Sequence, residues 1–460
     1  MSSVVLKPTL GTDSEFLRPV PWAPLPGKFL LATCMQGQLS NRHLCVHKSL
    51  LLAMLLNRTL LVPRRDICSS SKPHWRYDLS RTIDLGHLGR CFMGVGGENR
   101  GSTGAGAAAA TSSAGEKPGD YSSFKEAIPG VMSLDAYLAA HNSSVLEVDE
   151  LACGLVPDPS ACFRLPKCSK RLNLTPITFP SNISPALLPQ GRLADLAARL
   201  AISAPNTVTA RVLCLGDLFG LHTEEFSQNT AFLPPAFLPT SCGLPLRPPA
   251  AVVDAAAWFM QEYLGRDFAA LHLRRTDFLQ RFFEGKDADY CPLVTIAECV
   301  VERISAANRA AAADAGIADD GDGEGDGVGG LASFAGTSYE GRPIRIVLFC
   351  TDAGGAQVKA LSRLLEYHGI VLIRVNMLDD PALRSSGVDQ SVANSPDAAA
   401  MVEKVIAANS RLALYARGSS FSGQIRYLRE SMGLESCWDG IVCEGRAGGS
   451  LSLPEALTKQ

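Results

Sequence analysis

At 460 residues, 46% of them apolar and 19% charged, the chain is too long for one ordinary core and too apolar for disorder, so a globular protein of two domains is expected. A formal charge of −3 and a pI near 6.3 argue against a broad nucleic-acid surface, which would need clustered Lys and Arg. No run reaches the apolar length of a membrane span, and residues 1–26 lack the basic start and apolar centre of a secretory signal, so the chain reads as soluble.

In chain order, residues 28–33 read as a short apolar strand, 37–41 as the loop after it, 42–56 as a helix and 60–62 as a second strand that Pro63 stops. A strand, loop, helix, strand unit makes parallel neighbours with the loop on the ligand face. Residues 94–119 are Gly, Ala and Ser with little else, and 314–330 are acidic and Gly-rich. Both lack the apolar mass to pack and read as solvated insertions. The Pro-rich passage 233–249 is the expected link between a domain over 27–245 and a second over 250–445. In the second, strands are expected at 268–273, 344–350, 370–375 and 412–416, with helices near 294–308, up to 367, over 397–409 and from 418 onward. Strands that alternate with helices imply a parallel, doubly wound sheet.

Parallel strands present their carboxyl ends along one edge, where open α/β sheets bind ligands. That edge receives the run His272-Leu273-Arg274-Arg275-Thr276-Asp277-Phe278, Asp352 after the strand expected at 344–350, and Ser419, Ser420, Phe421 and Ser422 at a helix start. Arginine's rigid fork matches the oxygens of a phosphate, so the pair suggests a ligand carrying a diphosphate; a lone Arg pair would more ordinarily serve surface ion pairs. Serine at a helix start either caps backbone N–H groups or leaves the positive helix end open to an anion. Asp352 offers either an acceptor for a base or ribose or a cap for the next helix. Phe421 taken alone reads as core.

Fourteen cysteines include no CxxC pair of a zinc ribbon or redox motif, and disulfides are open to them. Glycosylation sequons begin at Asn57, Asn142, Asn173 and Asn182, which is compatible with a secretory compartment. His43-Leu44-Cys45-Val46-His47 has the spacing of a helical zinc pair, but Leu44 stands where a metalloprotease needs glutamate, so an ordinary amphipathic helix is expected. Gly94-Val95-Gly96-Gly97 imitates part of a dinucleotide fingerprint with no strand before it.

His272-Leu273-Arg274-Arg275, Thr351-Asp352-Ala353 and Ser419-Ser420-Phe421-Ser422 with Ile425 and Arg429 resemble the ordered C-terminal motifs of the GDP-fucose protein O-fucosyltransferases and their plant-type relatives. The N-terminal run Cys34-Met35-Gln36-Gly37-Gln38-Leu39-Ser40-Asn41, followed by Leu55-Leu56-Asn57-Arg58-Thr59-Leu60, resembles that family's first loop and second strand. The resemblance implies an α/β, GT-B-like fold: two Rossmann-like domains with parallel sheets and the active site in the cleft between them. It also implies an inverting transfer of fucose from GDP-fucose to a hydroxyl of a protein or glycan, with no metal and no cofactor beyond the donor, in the lumen of the Golgi or endoplasmic reticulum.

Carried over by position, Arg274 holds the β-phosphate and leaving oxygen, and Asn41 lies near the reacting centre. Gly37, His272, Asp352, Ser419, Ser420 and Phe421 fall at substrate-binding positions. Ser40 stands where the family loop commonly has glycine, and a loop with fewer glycines approaches a diphosphate less closely. Two other readings keep the fold: a rhamnosyltransferase acting on a cell-wall polysaccharide, and a catalytically silent nucleotide-sugar binder. The first loop carries no carboxylate, so no general base is assigned; His43 and His47 are the nearest imidazoles in sequence, and helix histidines more often serve structure.

Overall fold

The computed structural model describes residues 24–32, 39–62, 81–84, 130–153, 177–178, 186–187, 210–215, 247–275, 291–317, 342–375, 388–416, 419–434 and 439–442. The insertion expected at 94–119, residues 233–246 of the link expected at 233–249, and Gly37 lie outside them. Within the described residues the chain forms two larger parallel sheets flanked by helices, the α/β arrangement expected, and one two-stranded sheet.

The first sheet begins with β1 (Phe29–Ala32), α1 (Leu39–Leu55) and β2 (Thr59–Val62), the expected unit, with β1 and β2 parallel and Phe29 opposite Thr59. It then gains β3 (Val131–Ser133), followed by α2 (Leu134–Ala140), β5 (Glu150–Cys153), β7 (Ala186–Leu187) and β8 (Val212–Leu215), in the order β3-β2-β1-β8-β5-β7. Two further short strands, β4 (Leu146–Glu147) and β6 (Ile177–Thr178), pair with each other. Buried Arg58 donates to the carbonyls of Phe29 and Ala210 at 3.1 and 3.0 Å, tying together the entrances of β1 and β8.

Helix α1 departs from the amphipathic expectation. Over residues 39–50 every side chain but Asn41 is buried, including Arg42, His43, His47 and Lys48. The reason is its position: it packs on β1 and β2 and also on α8 (Ser420–Met432) from the second half, which leaves no face for water. It also starts earlier than expected, which puts Asn41 in its first turn rather than in the preceding loop.

The second sheet runs β11-β10-β9-β12-β13, all parallel. Its strands are β9 (Phe268–Leu273), β10 (Ile346–Thr351), β11 (Val371–Ile373), β12 (Leu412–Tyr415) and an unexpected fifth, β13 (Gly440–Ile441). Helices α3 (Ala250–Phe259), α7 (Pro396–Ala408) and α8 cover one face; α4 (Leu293–Ile317) and α5 (Gly355–Glu366) cover the other. The four-residue helix α6 (Gln390–Ala393) precedes α7.

Strand period divides β9 cleanly: Phe268 and Ala270 join the α3/α7/α8 core, while Ala269, Leu271 and Leu273 join the α4/α5 core. Helix α4 extends to Ile317 and takes in residues 314–317, expected from composition to begin the acidic insertion. The run of alanines after Arg309 carries the helix on, since alanine costs least in a helix.

Candidate functional site

The alternation along β9 decides which of its terminal residues meet. His272 shares the parity of Phe268 and Ala270, so it faces α7 and α8. There its Nδ1 lies 2.7 Å from Ser422 Oγ, which also accepts the Ala416 N–H at 3.0 Å. Its ring stacks on Phe421, with centroids 4.5 Å apart and planes at 17°. The Lys404 ammonium, from α7, stands 4.8 Å from the centroid of the same phenyl ring.

The arginine pair separates. Arg275 falls on the opposite parity, is 0% exposed and donates from Nη1 to the Cys291 carbonyl at 2.9 Å. It is a core residue, so only one guanidinium of the pair reaches the edge. Arg274 remains partly exposed there, and its charge acts on His272.

Asp352 is exposed at the end of β10, and its Oδ1 accepts the backbone N–H of Arg275 at 2.7 Å. It therefore fixes the backbone at Arg275, the residue next to Arg274. It does not cap α5, whose N-cap is Gly354.

Ser419 and Ser420 divide in a similar way. Ser420 donates a short hydrogen bond to Asn41 Oδ1, joining the starts of α1 and α8 across the two halves. Ser419 occupies the N-cap of α8, is 1% exposed and makes no capping bond. Among the described residues its hydroxyl has no hydrogen-bond partner. Two other serines show what capping looks like here: Ser133 accepts from Ala136 N at 3.0 Å and Ser395 from Ala398 N at 3.3 Å. Simple capping is therefore not the role of Ser419.

Sequence reasoning did not single out Lys404 or Gln424, because a lysine and a glutamine inside helices carry no motif. Both are buried beside Phe421 and His43. Arg429, grouped with the ligand-edge motifs by resemblance, lies instead at the far end of α8 as a buried clamp on Asp439. His43 and His47 are fully buried, which removes them from contact with an acceptor. Among the described residues no group of three or more His, Cys, Asp or Glu side chains is placed to hold a metal ion, and no helix is long and apolar enough to cross a membrane.

Burial lowers the imidazoles. His272 is pushed down to about 3 by desolvation and then by the Arg274 and Lys404 charges; His47 is pushed to about 3 by desolvation and Lys48, and His43 well below its ordinary value by desolvation and Lys404. Each is neutral in the folded chain and takes up a proton in the unfolded chain below about pH 6.5, so the unfolded state binds more protons and stability falls as pH drops. Glu403, raised to about 7 mainly by burial, opposes this between pH 7 and 4.5. Three imidazoles outnumber one carboxyl, and we expect the urea midpoint to decrease from pH 6.5 to 4.5 and more steeply below. A flat midpoint over that range would contradict the assigned burial.

No family model matches the chain. It is 23% identical over 433 residues to O-fucosyltransferase 5 of Arabidopsis thaliana, covering 93% of this chain and 62% of that protein, and 22% identical to O-fucosyltransferase 36 of the same plant with the same coverage. The chain thus spans about three-fifths of the length of these relatives. Among solved structures, POFUT1 in complex with GDP-fucose aligns with 92% of this chain and 99% of its own, at 12% identity and a TM-score of 0.48. Across 93% of its length, the chain is O-fucosyltransferase-like in sequence.

Proposed function

We propose that the chain transfers fucose from GDP-fucose to a hydroxyl of a protein or glycan acceptor, with inversion and without a metal, between domains over 27–245 and 250–445. The observation that carries this reading is Ser419: a buried, unpartnered hydroxyl at the open, positive start of α8, which suits a phosphate oxygen. As the glycosidic bond breaks, negative charge gathers on the departing diphosphate. Arg274 and the first N–H groups of α8 are preorganised donors for that charge, each supplying about 3 to 4 kcal/mol.

His272 and Phe421 form a stacked wall for the nucleotide, and Asp352 aims Arg274 through the Arg275 backbone. Asn41, held by Ser420, sits on the acceptor side of the same edge. A lumenal location in the secretory pathway agrees with Cys45 and Cys291, each of which is disulfide-bonded.

The test incubates the chain with labelled GDP-fucose or UDP-rhamnose in the presence of chelator and follows nucleotide release and transfer to acceptor. GDP-fucose alone should react; reaction with UDP-rhamnose alone, or GDP binding without turnover, overturns the proposal. A paired variant isolates the carrying observation. Ser419→Ala should weaken GDP binding about tenfold, the worth of one hydrogen bond to a charged group, without lowering the unfolding midpoint. Ser395→Ala, which removes a true cap, should cost about 1 kcal/mol of stability and leave GDP binding alone.

A further inference from the structure

The starts of α1 and α8 are joined by more than the Asn41–Ser420 bond. One turn further on, Lys404 Nζ donates to Gln424 Oε1 at 2.6 Å, and Gln424 Nε2 lies 2.5 Å from His43 Nδ1. His43 Nε2 then lies 2.8 Å from Thr82 Oγ1. All four residues are buried. Proton bookkeeping gives this chain a direction. An ammonium can only donate, so the oxygen of the Gln424 amide must face it and the NH₂ must face His43. The NH₂ donates to Nδ1, which leaves the imidazole proton on Nε2. The Thr82 hydroxyl accepts or donates equally well and imposes no preference of its own.

We propose that Lys404 sets, through Gln424, the tautomer and seat of His43, and that Gln424 is thereby a positioning residue that holds α1, with Asn41 in its first turn, against the donor-side helix start. The positioning half rests on the transferase reading above; the tautomer half does not. A buried polar chain with one self-consistent proton pattern specifies one arrangement of the two elements it joins, where an apolar contact would tolerate sliding. Displacement of a reacting group by about 1 Å costs on the order of a hundredfold in rate, so a fixed seat for Asn41 matters to turnover more than to donor affinity.

The full chain with ¹⁵N-labelled histidine, examined below pH 7 where Lys404 keeps its charge, gives the first test. The His43 signals, assigned by their loss in His43→Gln, should show a protonated Nε2 and an unprotonated Nδ1. In Gln424→Glu, nearly the same shape, the carboxylate still pairs with Lys404 but can only accept from His43, so the pattern should invert or become that of an imidazolium. A protonated Nδ1 in the native chain, or an unchanged pattern in the Glu variant, overturns the proposal.

The second test is kinetic. The double variant Lys404→Met/Gln424→Met removes both polar partners together and strands no buried ammonium. Its kcat should fall about tenfold to a hundredfold with donor KM changed less than about twofold, and Gln424→Glu, which keeps a bond to His43, should recover most of the kcat. Native kcat in the double variant overturns the positioning role. If the unaltered chain neither binds GDP nor transfers fucose, the transferase reading fails, and the nitrogen pattern still decides the coupling.

Discussion

Replacing Arg274 by alanine is expected to lower kcat for fucose transfer by about a hundredfold to a thousandfold, the cost of removing one preorganised donor from a developing oxyanion, while the unfolding midpoint stays in place. Arg274 lies on the His272 side of the strand end and keeps partial exposure, so its loss opens no core cavity. Arg274→Lys should recover only part of the rate, because an ammonium keeps the charge and loses the planar fork. Arg275→Met should give the converse, a stability change with near-native turnover in the folded fraction, since Arg275 serves the Cys291 carbonyl inside the α4 side of the sheet. Near-normal transfer by Arg274→Ala would remove the central element of the proposed mechanism.

The largest effect on stability is expected at Arg429. Its guanidinium donates to both Asp439 oxygens, from Nε at 2.9 Å and Nη2 at 3.2 Å, and to the carbonyls of Ala408, Ser410 and Leu434. It is 0% exposed and links the ends of α7, α8 and the approach to β13, while Asp439 also accepts the Ala413 N–H of β12. Arg429→Ala strands a carboxylate and several carbonyls, and such a broken buried pair costs about 3 to 5 kcal/mol. Urea unfolding reads this directly. GDP affinity of the folded fraction should stay unchanged, because the clamp lies at the opposite end of α8 from Ser419. A variant of native stability, or one that loses GDP binding without losing stability, would contradict the structural assignment.

The sequence was most legible where local pattern and tertiary role agree. The apolar run that opens β9 and the serine-marked start of α8 appear within a residue or two of their expected places, and the parallel alternation after residue 250 is as expected apart from the added β13. The strands β3 to β8 were not legible: each has two to four residues, too short to show a period of two. The α1 helix was found but its character was not, because a helix that packs on both halves carries no polar face to betray its orientation. At the site, His272 and Phe421 were named separately, yet their stacking follows from which face each element presents. Arg274 and Arg275 look equivalent in sequence, and only strand parity assigns one to the edge and the other to the core.

The strand that carries His272 and leads into Arg274 is also the middle plank of its sheet, bonded on both sides and buried along all six residues. Amides there exchange with deuterated solvent only when the whole half opens. Nucleotide binding should therefore slow their exchange by the full binding free energy, uniformly along 268–273, instead of producing a local footprint. On the proposed function, the groups that meet the donor are mounted on the most protected strand among the described residues, and whatever adjusts when an acceptor arrives lies elsewhere.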